Sequence, residues 1–318
     1  MQCSNCRPLP RSGRKLKKIR EILRTKIDEW LRTITDERVR DLAFRHAIVS
    51  GGSIASMLSG EKVNDYDIYF QTKETALAVA EYYVNIFNKN TGYEDGDSDT
   101  YMPTVVEDSI QNIKGEVEER VTIYMRSEGV AAESETVARG LSFDDDDDAE
   151  EDLKAVEGLV NEEDYRPVFL SRNAITLTNR VQIIIRFFGA PEEIHKNFDF
   201  AHTLCWWRAR DGKLHIEQEA LQCMMSRVLL YRGSLYPLAS IFRVRKFLRR
   251  GWRITAGQLL KIMWQISEVD LSDRTILEEQ LIGVDAAYMH QLIHALRANE
   301  SDTIDSNYAA TLIDRIFE

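Results

Sequence analysis

Apolar positions at Leu16, Ile19, Ile22, Leu23, Ile27, Trp30 and Leu31 recur at intervals of three and four, which predicts an amphipathic helix over residues 15–32. A second helix is expected over residues 36–46. A third is expected over 74–88, where Ala76, Val79, Ala80, Tyr83 and Phe87 make one stripe. Between the last two the period changes. Residues 47–49 read as a short apolar strand, Gly51-Gly52 as a turn, 54–58 as a brief helix stopped by Ser59-Gly60, and 66–70 as an alternating, aromatic-rich strand. Strand character returns at 101–107, 121–125, 167–170, 174–177, 181–188 and 198–201. Residues 181–185 are almost continuously apolar, as a central strand covered on both faces would be. Beyond Asp199 helical spacing prevails over 217–231, 238–250, 255–267, 285–298 and 303–317, with Gly233, Pro237, Gly251 and Gly283 as breaks.

Charge divides the chain more sharply than its total of −11 suggests. Residues 128–164 hold fifteen Asp or Glu against Arg139 and Lys154, a local −13, so the remainder carries +2. The segment 127–164 has few bulky apolar residues and is expected to be a disordered acidic insert, either a solvated tether or a polyanion mimic that covers a basic groove. Residues 1–26 carry nine Lys or Arg against Glu21 and form a basic arm leading into the first helix. The segment from Arg227 to Arg253 has eight basic residues and no acid. Within it Arg243, Lys246 and Arg250 share one helix face, with Ile241, Val244 and Leu248 expected on the buried side. Tyr231, Tyr236 and Trp252 interleave them, and core packing is the first reading for these aromatics. No apolar run reaches 18 residues and no apolar stretch follows the N-terminal basic residues, so no membrane span or secretory signal is expected, and a cytoplasmic location is. Cys3-x-x-Cys6 would be half of a zinc knuckle, but no second pair completes it.

The chemistry concentrates at residues 47–70. Gly51-Gly52 and Ser53, at the mouth of a helix, offer backbone N–H groups suited to a phosphate chain. Asp65 and Asp67, two apart on a strand, leave the same face with Cα atoms roughly 6.7 Å apart. Two like charges so placed suit a divalent cation such as Mg²⁺, which takes a few carboxylates plus water and substrate phosphates. His195 and His202 flank Asp199, but their separation does not match a metal-ligand pair, and satisfied structural histidines are the expectation. Trp206-Trp207 is read as packing at a domain junction, and Arg186 as a residue that could point into the cleft.

Gly51-Gly52-Ser53, a gap of eleven residues and Asp65-Tyr66-Asp67 together resemble the signature of the DNA polymerase β-like nucleotidyltransferase superfamily. The run from Asn64 to Phe70 is also similar to bacteriophage proteins labelled nucleotidyltransferase. The resemblance implies a third carboxylate on a later strand, for which Phe198-Asp199-Phe200 is the match, with Glu107 or Asp108 as replacements. It implies an α/β (α+β) catalytic domain with a mixed sheet and an all-α C-terminal domain. The expected divisions are 1–45 (basic arm and helical extension), 46–203 (nucleotidyltransferase domain) and 204–318 (helical domain). The implied reaction moves a nucleoside monophosphate from an NTP such as ATP to an acceptor hydroxyl, on a nucleic acid such as an RNA 3′ end. Asp65, Asp67 and Asp199 would hold two Mg²⁺ or Mn²⁺ ions and do the catalytic work, and Gly51, Gly52, Ser53, Arg243 and Lys246 would bind the nucleotide. The alternatives are a catalytically silent relative that binds nucleic acid or serves in assembly, and an enzyme that modifies a protein or small molecule.

Overall fold

The computed structural model describes residues 13–91, 102–111, 117–125, 129–131, 165–281 and 305–317. The expectations for Cys3 and Cys6, for the first part of the basic arm, for a helix over 285–298 and for all of the acidic insert except 129–131 and its borders lie outside these residues.

Helix α1 (Leu16–Thr33) buries the predicted stripe of Ile19, Leu23, Ile27, Trp30 and Leu31. Each such burial stabilises the fold by roughly 1.5–3 kcal/mol. Helix α2 (Glu37–His46) begins where the Asp36 carboxylate accepts the Val39 N–H at 3.0 Å, a cap that satisfies one of the helix's unpaired donors. Strand β1 (Ala47–Ser50), helix α3 (Gly52–Ser59), strand β2 (Tyr66–Phe70) and helix α4 (Lys73–Thr91) follow in the expected order. Gly60 closes α3 in the left-handed conformation (φ 71°), which explains why that helix is so brief. Strands β3 (Thr104–Gln111) and β4 (Val117–Tyr124) form a separate hairpin, from which Val121 and Ile123 reach the core.

The main sheet adds β5 (Gly129–Ala131), β6 (Pro167–Ser171), β7 (Ala174–Leu177), β8 (Val181–Phe188), β9 (Cys205–Arg208) and β10 (Leu214–Ile216). Its order is β10-β9-β1-β2-β8-β7-β6-β5, and only β2 with β8 run parallel. The fold is thus mixed α/β. Side-chain alternation assigns the two faces: Ala47, Val49, Ile68, Phe70, Ile183 and Ile185 join the large core under α1 and α4, where Trp30 Nε1 donates to Tyr83 Oη at 2.8 Å. Ile48, Tyr69 and Trp206 point to the other face, in a small cluster with Ile194 of the short helix α5 (Pro191–Ile194). That thinly covered face holds the site.

Helices α6 (Gln218–Ser226), α7 (Pro237–Arg249), α8 (Ala256–Ser267), α9 (Arg274–Leu281) and α10 (Ser306–Phe317) build the rest, with β11 (Val228–Leu229) and β12 (Arg253–Ile254) as a two-residue parallel pair. Four expectations are corrected. Residues 198–201 form a bend between two 3₁₀ turns, tied only by an isolated bridge from Phe200 to Tyr231, because β1 already pairs with β2 and β9 and leaves no edge for another strand. Residues 205–216, expected to open the helical part, complete the sheet beside β1. The helix expected to reach residue 231 stops at Ser226, where Arg227 turns left-handed (φ 51°), and α9 was not foreseen. In α7, Val244 is buried, but Ile241 and Leu248 are exposed; Leu238, Ala239 and Ser240 take the buried side instead. No described helix is long and apolar enough to cross a membrane.

Candidate functional site

A cleft on the thinly covered face brings the sequence-predicted residues together: Gly51, Gly52, Ser53, Asp65, Asp67, Asp199, Arg243 and Lys246 all line it. It has a volume of about 390 Å³. One wall is the β1-α3-β2 unit. Cross-strand register aligns Ser50 with Asp67 and Asp67 with Gln182 of β8, so these polar side chains form one row on the cleft face.

Gly51 sits at φ 94°, ψ −143°, a conformation that side chains resist, and its N–H donates to the Cys205 carbonyl at 3.3 Å. A Cβ there would lie 3.3 Å from Asp67 Oδ2 and 3.8 Å from the Phe198 ring, so the turn and the carboxylate are pressed together. Gly52 faces open space. The Ser53 Oγ, in the first turn of α3, is buried without a hydrogen-bond partner, and Asn64 Nδ2 is in the same condition on the same cleft. Both atoms keep free hydrogen-bonding capacity on the cleft side. The Tyr69 hydroxyl is pushed well above its usual pKa by burial and then by the negative charge of Asp67, with Arg243 opposing.

The other wall is the bend at Asp199 with α7. Pro237 opens α7, and Ser240 and Arg243, one turn apart, both reach Asp199. Ser240 Oγ donates to Asp199 Oδ2 at 2.9 Å, and Arg243 Nη1 donates to the same oxygen at 2.6 Å. Asp199 is therefore in the cleft, but a guanidinium already stands against it. Among the described residues no group of three or more His, Cys, Asp or Glu side chains stands ready to hold a metal ion, and Asp65, Asp67 and Asp199 all line the one cleft. The hard carboxylate donors of Asp65 and Asp67 fit a divalent ion such as Mg²⁺, which takes a few carboxylates alongside a substrate's phosphates, and Arg243 supplies positive charge on the Asp199 side. Lys246, Arg249 and Arg250 extend that charge along the cleft.

The profile of the Gabija anti-defense 2 protein family matches residues 21–227, well over half of the chain, from within α1 through the sheet and the Asp199 bend, ending before α7. The chain belongs to the Gabija anti-defense 2 family. No curated protein matches this family member in sequence. Among solved structures it is similar to the Thermotoga maritima CCA-adding enzyme complexed with tRNA, at 13% identity and a TM-score of 0.36, covering 91% of this chain and 53% of that one. It is also similar to a CCA-adding enzyme in complex with ATP, at 13% identity and a TM-score of 0.37, covering 88% and 52%. The Gabija anti-defense 2 family chain spans about half the length of these solved structures.

Other sequence readings fall differently in this family member. His195 is the satisfied structural histidine expected, with Nε2 at 2.9 Å from Ser50 Oγ, which itself donates to the Cys205 carbonyl at 2.8 Å. His202 is not, since neither ring nitrogen has a hydrogen-bond partner. Arg186 is buried with its guanidinium over the Phe187 ring, and it is not among the cleft-lining residues. Trp206 and Trp207 are sheet residues of β9, the latter under the Arg24 guanidinium at 5.2 Å. Tyr231 is core, donating to Gln265 at 2.6 Å, whereas Tyr236 and Trp252 line the cleft. Sequence reading gave no site role to Glu61, Gln182 and Ser240, placed Asn64 only at the head of the Asn64–Phe70 run, and read His202 as structural. Only Ser240 had a local signal, its i, i+3 spacing to Arg243.

Proposed function

We propose that the cleft binds a nucleoside triphosphate and transfers its nucleoside monophosphate to an acceptor hydroxyl, on a nucleic acid such as an RNA 3′ end. The observation that carries this reading is the close approach of the Gly51 turn to Asp67, with the unpartnered Ser53 Oγ beside it and the basic face of α7 lining the same cleft. Phosphate oxygens at the α3 N-terminus would give Ser53 its partner and meet the backbone N–H groups of Gly52 and Ser53. Asp65 and Asp67 would hold Mg²⁺ or Mn²⁺, which supplies charge neutralisation to the triphosphate when bound. Arg243 and Lys246 act on the same phosphates from the facing wall.

The acceptor oxygen forms a bond to the α-phosphorus while the bond to the β-phosphate bridging oxygen breaks, and pyrophosphate leaves with that electron pair. Asp199 Oδ1 receives the acceptor proton, since Oδ2 is taken by Ser240 and Arg243. The test is incubation with each labelled NTP, Mg²⁺ or Mn²⁺ and a mixture of RNA, DNA and protein. Label in the nucleic-acid fraction is the expected result, label in protein would redirect the acceptor, and no label in any fraction would overturn the reaction.

A second reading has its own support. Opposite Asp67 on β8 stands the amide of Gln182, and a guanidinium occupies Asp199, so a catalytically silent protein that keeps the nucleotide site is also consistent with the geometry. Tight NTP binding with no label transferred would identify it.

A further inference from the structure

His202, in the 3₁₀ turn Ala201–Thr203 that follows Asp199, lines the same cleft as the glycine turn. Its side chain is 1% exposed, yet it lines the cleft, and neither Nδ1 nor Nε2 has a hydrogen-bond partner. Its ring packs among aromatic rings: the Phe247 centroid is 4.4 Å away at 88°, the Trp252 centroid 4.5 Å away at 46°, and the Phe200 centroid 6.1 Å away. Trp252 is anchored in turn, donating from Nε1 to Glu61 Oε1 at 3.1 Å. Glu61 also pairs with Arg227 at 3.2 Å, and both Glu61 and Trp252 line the cleft with Arg250. Burial pulls the His202 pKa down to about 4, so the ring is neutral near pH 7, with one nitrogen a donor and the other an acceptor. A rigid, neutral donor–acceptor ring with nothing to bond, set among aromatic faces, is costly to keep in a cleft unless a ligand completes it.

Helix α3 gives the scale. Ser53 at its first turn, Ser56 in its middle and Glu61 just past its end all line the same cleft, and eight helical residues span about 12 Å. That is the length needed to run from a polyphosphate at the glycine turn to a base beside Glu61. We infer that His202, with Trp252 and Phe247 holding its ring, binds the nucleobase of the nucleotide whose phosphates sit at Gly51–Ser53, one imidazole nitrogen pairing with the edge of the base. This deepens the proposed nucleotide site and rests on it. His202 is then the residue by which the cleft tells an NTP from bare polyphosphate, and one base from another.

The experiment uses the full chain, Mg²⁺, the four NTPs and inorganic tripolyphosphate, with affinities read by Trp fluorescence or calorimetry. At least one NTP should bind about tenfold more tightly than tripolyphosphate, and His202→Phe should bring the two within about twofold while tripolyphosphate affinity holds. Ring ¹⁵N signals of His202 in the unmutated protein should shift on adding that NTP and stay put with tripolyphosphate, which decides the matter even if His202→Phe folds poorly. Unmoved His202 signals on NTP saturation, or base discrimination that survives in His202→Phe, would overturn the inference. If tripolyphosphate binds and no NTP binds more tightly, this inference fails alone. If neither binds, the nucleotide site itself fails.

Discussion

The wall built by β1, α3 and β2 comes from one stretch of chain and is held by backbone bonds, with Ser50 opposite Asp67 in register and Gly51 N–H on the Cys205 carbonyl. The wall built by the Asp199 bend and α7 joins residues 41 and 44 positions apart through side chains, Ser240 and Arg243 on one carboxylate oxygen. A backbone ladder sets side-chain direction by its two-residue period, whereas a side-chain clasp is set by whichever rotamers the two elements can share. The first wall is therefore a rigid platform. The second is held by side chains alone, Ser240 and Arg243 on Asp199 Oδ2.

Removing Asp67 should produce the largest effect. Asp67→Ala is expected to lower nucleotidyl transfer by about a thousandfold or more, roughly 4 kcal/mol in the barrier, with the melting curve little changed. Label transfer at near-normal rate would show that the strand wall is not the reacting one.

The walls also differ in how they keep a histidine. His195 is bonded to Ser50 and His202 is unpartnered, but burial lowers both to about 4. The unfolded chain, with histidine near 6.5, takes up those protons first, so stability is full above about pH 6.5 and falls as pH drops toward 4, by on the order of 3 kcal/mol per histidine. Urea melts across that range should show the decline, and His202→Phe should remove its share and leave that of His195.

Gly51→Ala tests the platform's geometry. The backbone angle and the 3.3 Å approach to Asp67 Oδ2 should cost about 1–3 kcal/mol in stability. Phosphate affinity should fall with it, and an alanine variant that melts normally would mean the turn is less constrained than its angles require.

The smallest effect is expected from the clasp. Arg243→Ala leaves Asp199 without its cation, but the guanidinium is 38% exposed, so solvent screening holds the cost to about 1–2 kcal/mol. In the background of Asp199→Asn the same change should cost less, and a double-mutant cycle in chemical denaturation reads the difference. Additive costs would show that the contact does not tie the walls together.

Residues 15–70 carried their own structure. The spacing of Ile19, Leu23, Ile27 and Trp30, the Asp36 cap, the left-handed stop at Gly60 and the alternation from Tyr66 to Phe70 act within a few positions, and each element formed where the pattern placed it. Gly51, Ser53, Asp65 and Asp67 were legible for the same reason. What pairs with what at long range was not. Whether Phe198–Ala201 becomes a strand depends on whether a sheet edge is open, and β9 had taken the one beside β1. Which side of α7 is buried depends on what packs against it, so Ile241 and Leu248 ended in solvent despite their helical spacing. His202 looks like His195 in one dimension. Only the tertiary structure puts Ser50 beside one and leaves the other facing a cleft with both nitrogens unpaired, because hydrogen-bond partners 145 residues apart leave no trace in local sequence.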